Sequence, residues 1–210
     1  MNKTDNERTS QWIWRVDLTL IICEIIFAAI VYAMYGGFAY LAFGHDSVGE
    51  LVSNLVVLFY LGNVIKHKDS HKHAGTTPHE HEFHEREGKA SQYVAFVFFG
   101  LALSTLIWPL LTGTESTPVT VIWPTIMLGV FTLTTGTMGF LKWRQSTDKH
   151  DPRWAEALQS IFCVLSGVVA AAAGMLEHRI PQSHLYGDIV IAILMFIAGC
   201  MIINNKKLCC

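Results

Sequence analysis

Residues 43–54 read FGHDSVGELVSN and place two carboxylates four positions apart inside an otherwise apolar run. A helix turns about 100° per residue, so Asp46, Glu50 and Asn54 fall in one column on one face, roughly one turn apart. Charged side chains at membrane depth are costly and usually face a protein interior, a cavity or a partner. The stretch therefore predicts a helix whose polar column is buried among other helices.

The composition is that of a membrane protein. The chain has 210 residues, of which 51% are hydrophobic and only 15% charged, and its apolar residues come in long blocks. A helix needs about 20 mostly apolar residues to cross a bilayer. Six windows reach that length: about 17–35, 38–65, 91–113, 119–142, 155–176 and 185–204. We predict an all-α membrane protein with six transmembrane helices in one domain (17–204), an N-terminal cytoplasmic segment (1–16) and a short cytoplasmic tail (205–210).

The positions of the basic residues indicate the orientation. Positive residues concentrate on the cytoplasmic side of membrane proteins. With both termini in the cytoplasm, 14 of the 15 Lys and Arg residues lie on that side, and only Arg179 lies outside. The N-terminus is polar and does not have the form of a cleavable signal peptide. We expect a multi-pass integral protein of a cell membrane or an organelle inner membrane, in contact with the lipid bilayer and without a nucleic-acid partner.

A second polar column opens the fifth predicted span. Glu156, Gln159 and Cys163 are spaced i, i+3 and i+7, and lie within about 60° of one another around the helix. A cysteine alone at such a place is more often a small buried residue than a ligand. If this column faces Asp46 and Glu50, however, the two columns together could surround a metal ion with ligand atoms.

The other spans contain few ionisable residues. Glu24 in the first span is either a protonated carboxyl packed against a neighbouring helix or a residue that supports the site from beside the ligands, as we also expect for Asn54. The third and fourth spans have no ionisable residue in their cores and are interpreted as scaffold. Asp188 falls near a membrane edge, where we interpret it as an interfacial or helix-start acid.

Histidines are concentrated between the second and third spans. The predicted cytoplasmic loop, residues 66–90, contains six of the ten histidines together with several acids. Imidazole and carboxylate together suit divalent transition metals. The densest part offers His79, His81 and His84 as loop metal ligands. The alternative is a solvated polar loop whose histidines are incidental.

With these motifs the chain resembles the cation diffusion facilitators, six-span exporters of divalent metal ions. The resemblance is carried by FGHDSVGE at 43–50, by Glu24, by EALQSIFC at 156–163, and by EGKA at 87–90 before the third span. Gln159 and Cys163 stand where the best-known members have His and Asp. The part of the metal site contributed by the fifth span therefore carries less negative charge and includes a softer ligand atom, sulfur. Only residues 205–210 follow the last span, so we expect a short member without the family's C-terminal cytoplasmic domain.

The resemblance implies efflux of a divalent metal cation, with zinc the best match, by proton-coupled antiport through a site between spans 2 and 5. The metal site residues are then Asp46, Glu50, Glu156, Gln159 and Cys163. Ligands must lose protons to bind metal, so metal and protons compete for the same atoms. Metal ions and protons are the expected partners, with a homodimer or larger membrane complex formed through the spans. No permanently bound cofactor is expected.

Two other functions are compatible with parts of the sequence. A non-transporting scaffold or accessory subunit could keep the transporter fold, as Gln159 and Cys163 would allow. Against it, a pure scaffold would gain by replacing buried acids with apolar residues. A membrane enzyme finds little support, because no nucleophile and base are arranged together and the histidines lie in a predicted loop. We therefore do not expect an enzyme.

Overall fold

A computed structural model describes residues 3–71, 80–113, 122–145, 152–177, 179–180 and 182–207, and the part it describes is all-helical. Its side chains are described over 12–56, 58–59, 92–113, 122–144, 157–177, 179–180 and 182–204. The six helices are α1 (Lys3–Tyr35), α2 (Phe38–His71), α3 (Glu80–Thr112), α4 (Ile122–Gln145), α5 (Pro152–Leu176) and α6 (Ser183–Lys207). The predicted helical class is confirmed.

Five of these helices are long and apolar enough to cross a membrane. Their apolar windows are Trp12–Tyr35, Gln92–Thr112, Ile122–Arg144, Ala157–Leu176 and Ser183–Asn204. Only 28–44% of each window is buried inside the protein, and large apolar side chains such as Leu110 and Leu133 point outward. Apolar surface of this extent on several helices suits contact with lipid. The chain therefore has the character of a multi-pass membrane protein.

The part of α2 whose side chains are described is more polar than these five windows and is not among them. It packs against α1, α3, α5 and α6, so other helices surround it. Its column Asp46, Glu50 and Asn54 is at most 2% exposed. The prediction that these three residues share one buried face is confirmed. Enclosure by four helices is what allows a carboxylate-bearing helix to sit in the interior of such a bundle.

Close helix contacts are made where side chains are small. The turn between α1 and α2 uses Gly36 and Gly37 at φ values of +72° and +88°, which glycine adopts without strain. Between α4 and α5, a Cβ added to Gly139 would lie 2.8 Å from Ser160 Cβ. Gly139 thus brings α4 close enough for its end to reach residues of α5 in the candidate site.

The helices extend beyond the spans predicted from sequence. Residues 3–16, assigned to the N-terminal segment, belong to α1, and residues 205–207 of the predicted tail belong to α6. Within the predicted 66–90 loop, residues 66–71 continue α2 and residues 80–90 begin α3. These stretches are rich in Glu, Lys and Arg, which favour helix, so the helices continue past their apolar windows.

Candidate metal centre

Three donor side chains from three helices meet inside the bundle. A carboxylate oxygen of Glu24 on α1, a carboxylate oxygen of Glu50 on α2 and Sγ of Cys163 on α5 all lie within 4.8 Å of one another. None of the three side chains is more than 1% exposed. Two carboxylates and a thiol in this arrangement can hold a divalent transition metal between them.

Hydrogen bonds fix the position of Glu24. Thr135 Oγ1 on α4 donates to Glu24 Oε1, and Ser47 Oγ on α2 donates to Glu24 Oε2 at 3.2 Å. Cys163 Sγ lies 4.0 Å from the same Oε2 atom and 4.0 Å from Ser47 Oγ. Glu24, predicted only to support the site, therefore stands among the donors themselves.

Asp46 lies one turn before Glu50 on α2 but is not among the three closest donors. Its side chain is 2% exposed and lies beside Ser166 and Cys163 of α5. We call Glu24, Asp46, Glu50 and Cys163 the acidic cluster. It joins α1, α2 and α5, whereas the sequence motifs predict a site between α2 and α5 alone.

Several buried polar atoms around the acidic cluster have no hydrogen-bond partner among the described residues. They all belong to α2 and α5: Asp46 Oδ2, Glu50 Oε2, Gln159 Nε2, Gln159 Oε1 and Ser166 Oγ. A buried polar atom left unpaired is costly, and such atoms are few in folded proteins. Their concentration here fits an interior that binds a cation, together with any water the cation retains.

A buried ion pair adjoins the acidic cluster. Lys142, near the end of α4, is fully buried, with Nζ 2.5 Å from Asp17 Oδ2 on α1 and 3.8 Å from Glu50 Oε1. Ser160 Oγ on α5 donates to Glu50 Oε1 at 2.7 Å, and Asn54 Nδ2 donates to Asp17 Oδ2 at 2.6 Å. We call these five residues the ion-pair network.

The ion-pair network was missed from the sequence. Lys142 was counted as one of the cytoplasmic basic residues, and the fourth span was interpreted as scaffold without ionisable groups in its core. Lys142 at the end of α4 turns inward, and Thr135 of α4 contacts the cluster. Gly139 is the residue in the sequence that could have indicated this. It lies one turn before Lys142 on the same face, and a small residue there lets that face approach α5. Asn54, which we predicted to support the site, donates its described hydrogen bond to Asp17.

The remaining predicted ligands fall outside the described side chains. Glu156 lies on α5, and His81 and His84 lie on α3, but only their backbone is described. His79 lies outside the described residues altogether. These four residues remain predictions.

At the other end of the bundle, polar groups surround the start of α6. Glu177 Oε2 accepts hydrogen bonds from Ser183 Oγ at 2.5 Å and from the His184 backbone N at 3.4 Å, which caps the helix. Asp188 is 2% exposed, and its Oδ2 has no hydrogen-bond partner among the described residues. Asp188, which we interpreted as an interfacial or helix-start acid, lies in the second turn of α6 on a buried face.

Comparison of the chain with protein-family models, with curated proteins and with solved structures found no match.

Proposed function

We propose that this protein is a membrane transporter for a divalent metal cation, with zinc as the best candidate, and that the acidic cluster is its transport site. The observation that carries the proposal is the convergence of Glu24, Glu50 and Cys163 donor atoms within 4.8 Å in a buried interior. Metal is the substrate in this proposal, held by these donors, with Asp46 and Gln159 beside them.

The charge of the site supports a divalent cation. The acidic cluster and the ion-pair network together hold four buried carboxyl groups, on Asp17, Glu24, Asp46 and Glu50, and one buried ammonium group, on Lys142. Carboxylates in a low-dielectric interior must either take up protons or acquire a positive partner. A divalent ion satisfies this requirement, and its binding releases protons from the same atoms. Exchange of metal for protons follows from that competition.

The membrane arrangement is part of the proposal. We take α2 as the sixth span alongside the five apolar helices, because four helices enclose it. An even number of spans places both termini on one side, and the distribution of basic residues favours the cytoplasm. Efflux and a relation to the cation diffusion facilitators are proposed on the residues quoted above, FGHDSVGE at 43–50 and EALQSIFC at 156–163.

The test is metal flux into vesicles reconstituted with purified protein. We expect Glu50→Gln and Asp46→Asn to reduce zinc uptake to the level of empty vesicles. The matched control is Asp188→Asn, which neutralises an equally buried carboxyl outside the acidic cluster. Uptake at the wild-type rate by both cluster variants would overturn the assignment of the site.

A second candidate function is a scaffold or accessory subunit that does not transport. The observation in its favour is Lys142, which already supplies a positive partner to Glu50 and ties α4 to α1 and α2. The unfolding temperature of the solubilised protein, measured with and without zinc, distinguishes a transporter from a scaffold. A transporter that binds zinc at the acidic cluster should unfold at a higher temperature with zinc present, and Glu50→Gln should remove the increase. A scaffold should show the same unfolding temperature in both conditions.

A further inference from the structure

Lys142 has an unusual environment for a lysine. Its side chain has no exposed surface, and Nζ lies between two acids, 2.5 Å from Asp17 Oδ2 and 3.8 Å from Glu50 Oε1. It also donates a hydrogen bond to Ser160 Oγ at 3.3 Å and lies 4.9 Å from the centre of the Trp14 ring. A buried ammonium group is tolerated only when it is paired in this way.

One described contact of Lys142 reaches the acidic cluster, at Glu50 Oε1. Glu50 Oε1 faces the ammonium and accepts the Ser160 bond, while Glu50 Oε2 has no described partner. Glu50 thus belongs to two groups at once, as a donor next to Glu24 and Cys163 and as an anion next to Lys142. A metal ion held by Glu50 and the ammonium of Lys142 would compete for the same carboxylate.

The network also ties one end of the bundle together. Asp17 belongs to α1, Glu50 to α2, Lys142 to α4 and Ser160 to α5, so all three helices of the acidic cluster meet α4 here. Trp14 packs over the ammonium with a fully buried ring. These side chains lie between the acidic cluster and the end of the bundle at which α1 begins and α4 ends.

We propose that Lys142 is a tethered counter-ion of the acidic cluster: it holds Glu50 when no metal is bound and closes the site toward that end of the bundle. A cation arriving at the cluster displaces the ammonium from Glu50 onto Asp17, its closer partner. A tethered single charge is displaced far more readily by a divalent ion than by a monovalent one, because Coulomb attraction scales with charge. Lys142 thereby favours divalent over monovalent cations. The closing role stands on the contacts alone, whereas competition with metal rests on the proposed function.

The closing role is tested by alkylation of Cys163 without metal. Cys23, Cys200, Cys209 and Cys210 are replaced by alanine, so that the buried Cys163 thiol is the one target for N-ethylmaleimide in the solubilised protein. We expect Lys142→Gln to raise the alkylation rate at least about tenfold, since a broken ion pair lets this end open locally. Ser104→Ala, which changes an exposed serine of α3 outside the network, should leave the rate within about twofold.

A control separates local opening from general loosening. Ala102→Cys places a single buried thiol on α3, away from the network, in a chain without other cysteines. Lys142→Gln should leave the alkylation of this thiol unchanged. If Lys142→Gln does not fold, the double variant Asp17→Asn/Lys142→Gln removes the ammonium with its nearest acid and should give the same increase at Cys163. An unchanged rate at Cys163, or an equal increase at the Ala102→Cys thiol, overturns the proposal.

Zinc titration tests the competition. Lys142→Gln should bind zinc more tightly than wild type, by about tenfold, because Glu50 is no longer occupied. Asp17→Asn should bind it several-fold more weakly, because the described ion pair that remains to Lys142 is then the one with Glu50. A purely structural ion pair would shift both affinities in the same direction. If wild type binds no zinc, the proposed function fails, and the alkylation result still decides the closing role.

Discussion

Ser160 Oγ donates a 2.7 Å hydrogen bond to Glu50 Oε1, which joins α5 to α2 beside the acidic cluster. Gly139 of α4 leaves room for Ser160 at this place, since a Cβ on Gly139 would lie 2.8 Å from Ser160 Cβ. Ser160→Ala should lower the free energy of unfolding by about 1–3 kcal/mol, because it leaves a buried carboxylate oxygen without that donor.

The matched control is Ser104→Ala, which removes an exposed serine whose hydroxyl bonds to the Leu101 carbonyl of its own helix. That change should stay within about 0.5 kcal/mol of wild type. Equal losses in the two variants, measured by reversible denaturation in detergent micelles, would contradict the role given to Ser160.

The burial of Lys142 predicts a large stability effect. Lys142→Met leaves Asp17 and Glu50 without their ammonium partner and should cost about 3–5 kcal/mol, the usual cost of removing one member of a buried ion pair. Arg144→Met changes an exposed basic residue two positions further along α4 and should cost less than about 0.5 kcal/mol. Similar unfolding temperatures for both variants would show that Lys142 is solvated in the membrane-bound protein.

Steric contact between α4 and α5 predicts a rescue. A Cβ at Gly167 would overlap Thr132 Oγ1, so Gly167→Ala should destabilise the protein by about 1–3 kcal/mol. Thr132→Ala removes the overlapping atom, and the double variant should recover part of the loss. Gly100→Ala, at a position with nothing within 4 Å of the new Cβ, is the control and should be close to neutral. Additive losses in the double variant would speak against a direct contact.

The Cys163 thiol in the acidic cluster predicts that the site prefers zinc and cadmium to manganese. Cys163→Ser replaces a soft sulfur donor by a hard oxygen, so affinity for zinc and cadmium should fall by about tenfold or more, while affinity for manganese should change little. Cys23→Ser alters the exposed cysteine of α1 and should leave all three affinities unchanged. Calorimetric titration of each metal measures the effect, and a uniform loss for the three metals in Cys163→Ser would point to damage rather than ligation.

Much of the fold could be predicted from the sequence. Long apolar blocks define helices by length and composition, and the four-residue spacing of Asp46 and Glu50 fixed their shared face. The polar helix ends were placed less well, because hydropathy reports the apolar window and not the helix that carries it. Helical Glu, His and Lys residues past the windows therefore fell into a predicted loop.

The site was only half predictable, for a physical reason. Spacing decides which residues of one helix share a face, but the rotation of each helix about its axis depends on packing with its neighbours. Glu24 could thus have faced lipid, a neighbour or the site, and it faces the site. Lys142, at the end of an apolar run, could have extended to the membrane surface as lysines commonly do, and instead it turns inward to Asp17.

The enclosure of α2 by α1, α3, α5 and α6 has a consequence for how the protein is made. Helices α5 and α6 are synthesised after α2, yet they cover it. Until they arrive, the carboxylates of α2 have only part of their final surroundings. The polar column of α2 therefore gains its full enclosure only after α5 and α6 have been synthesised.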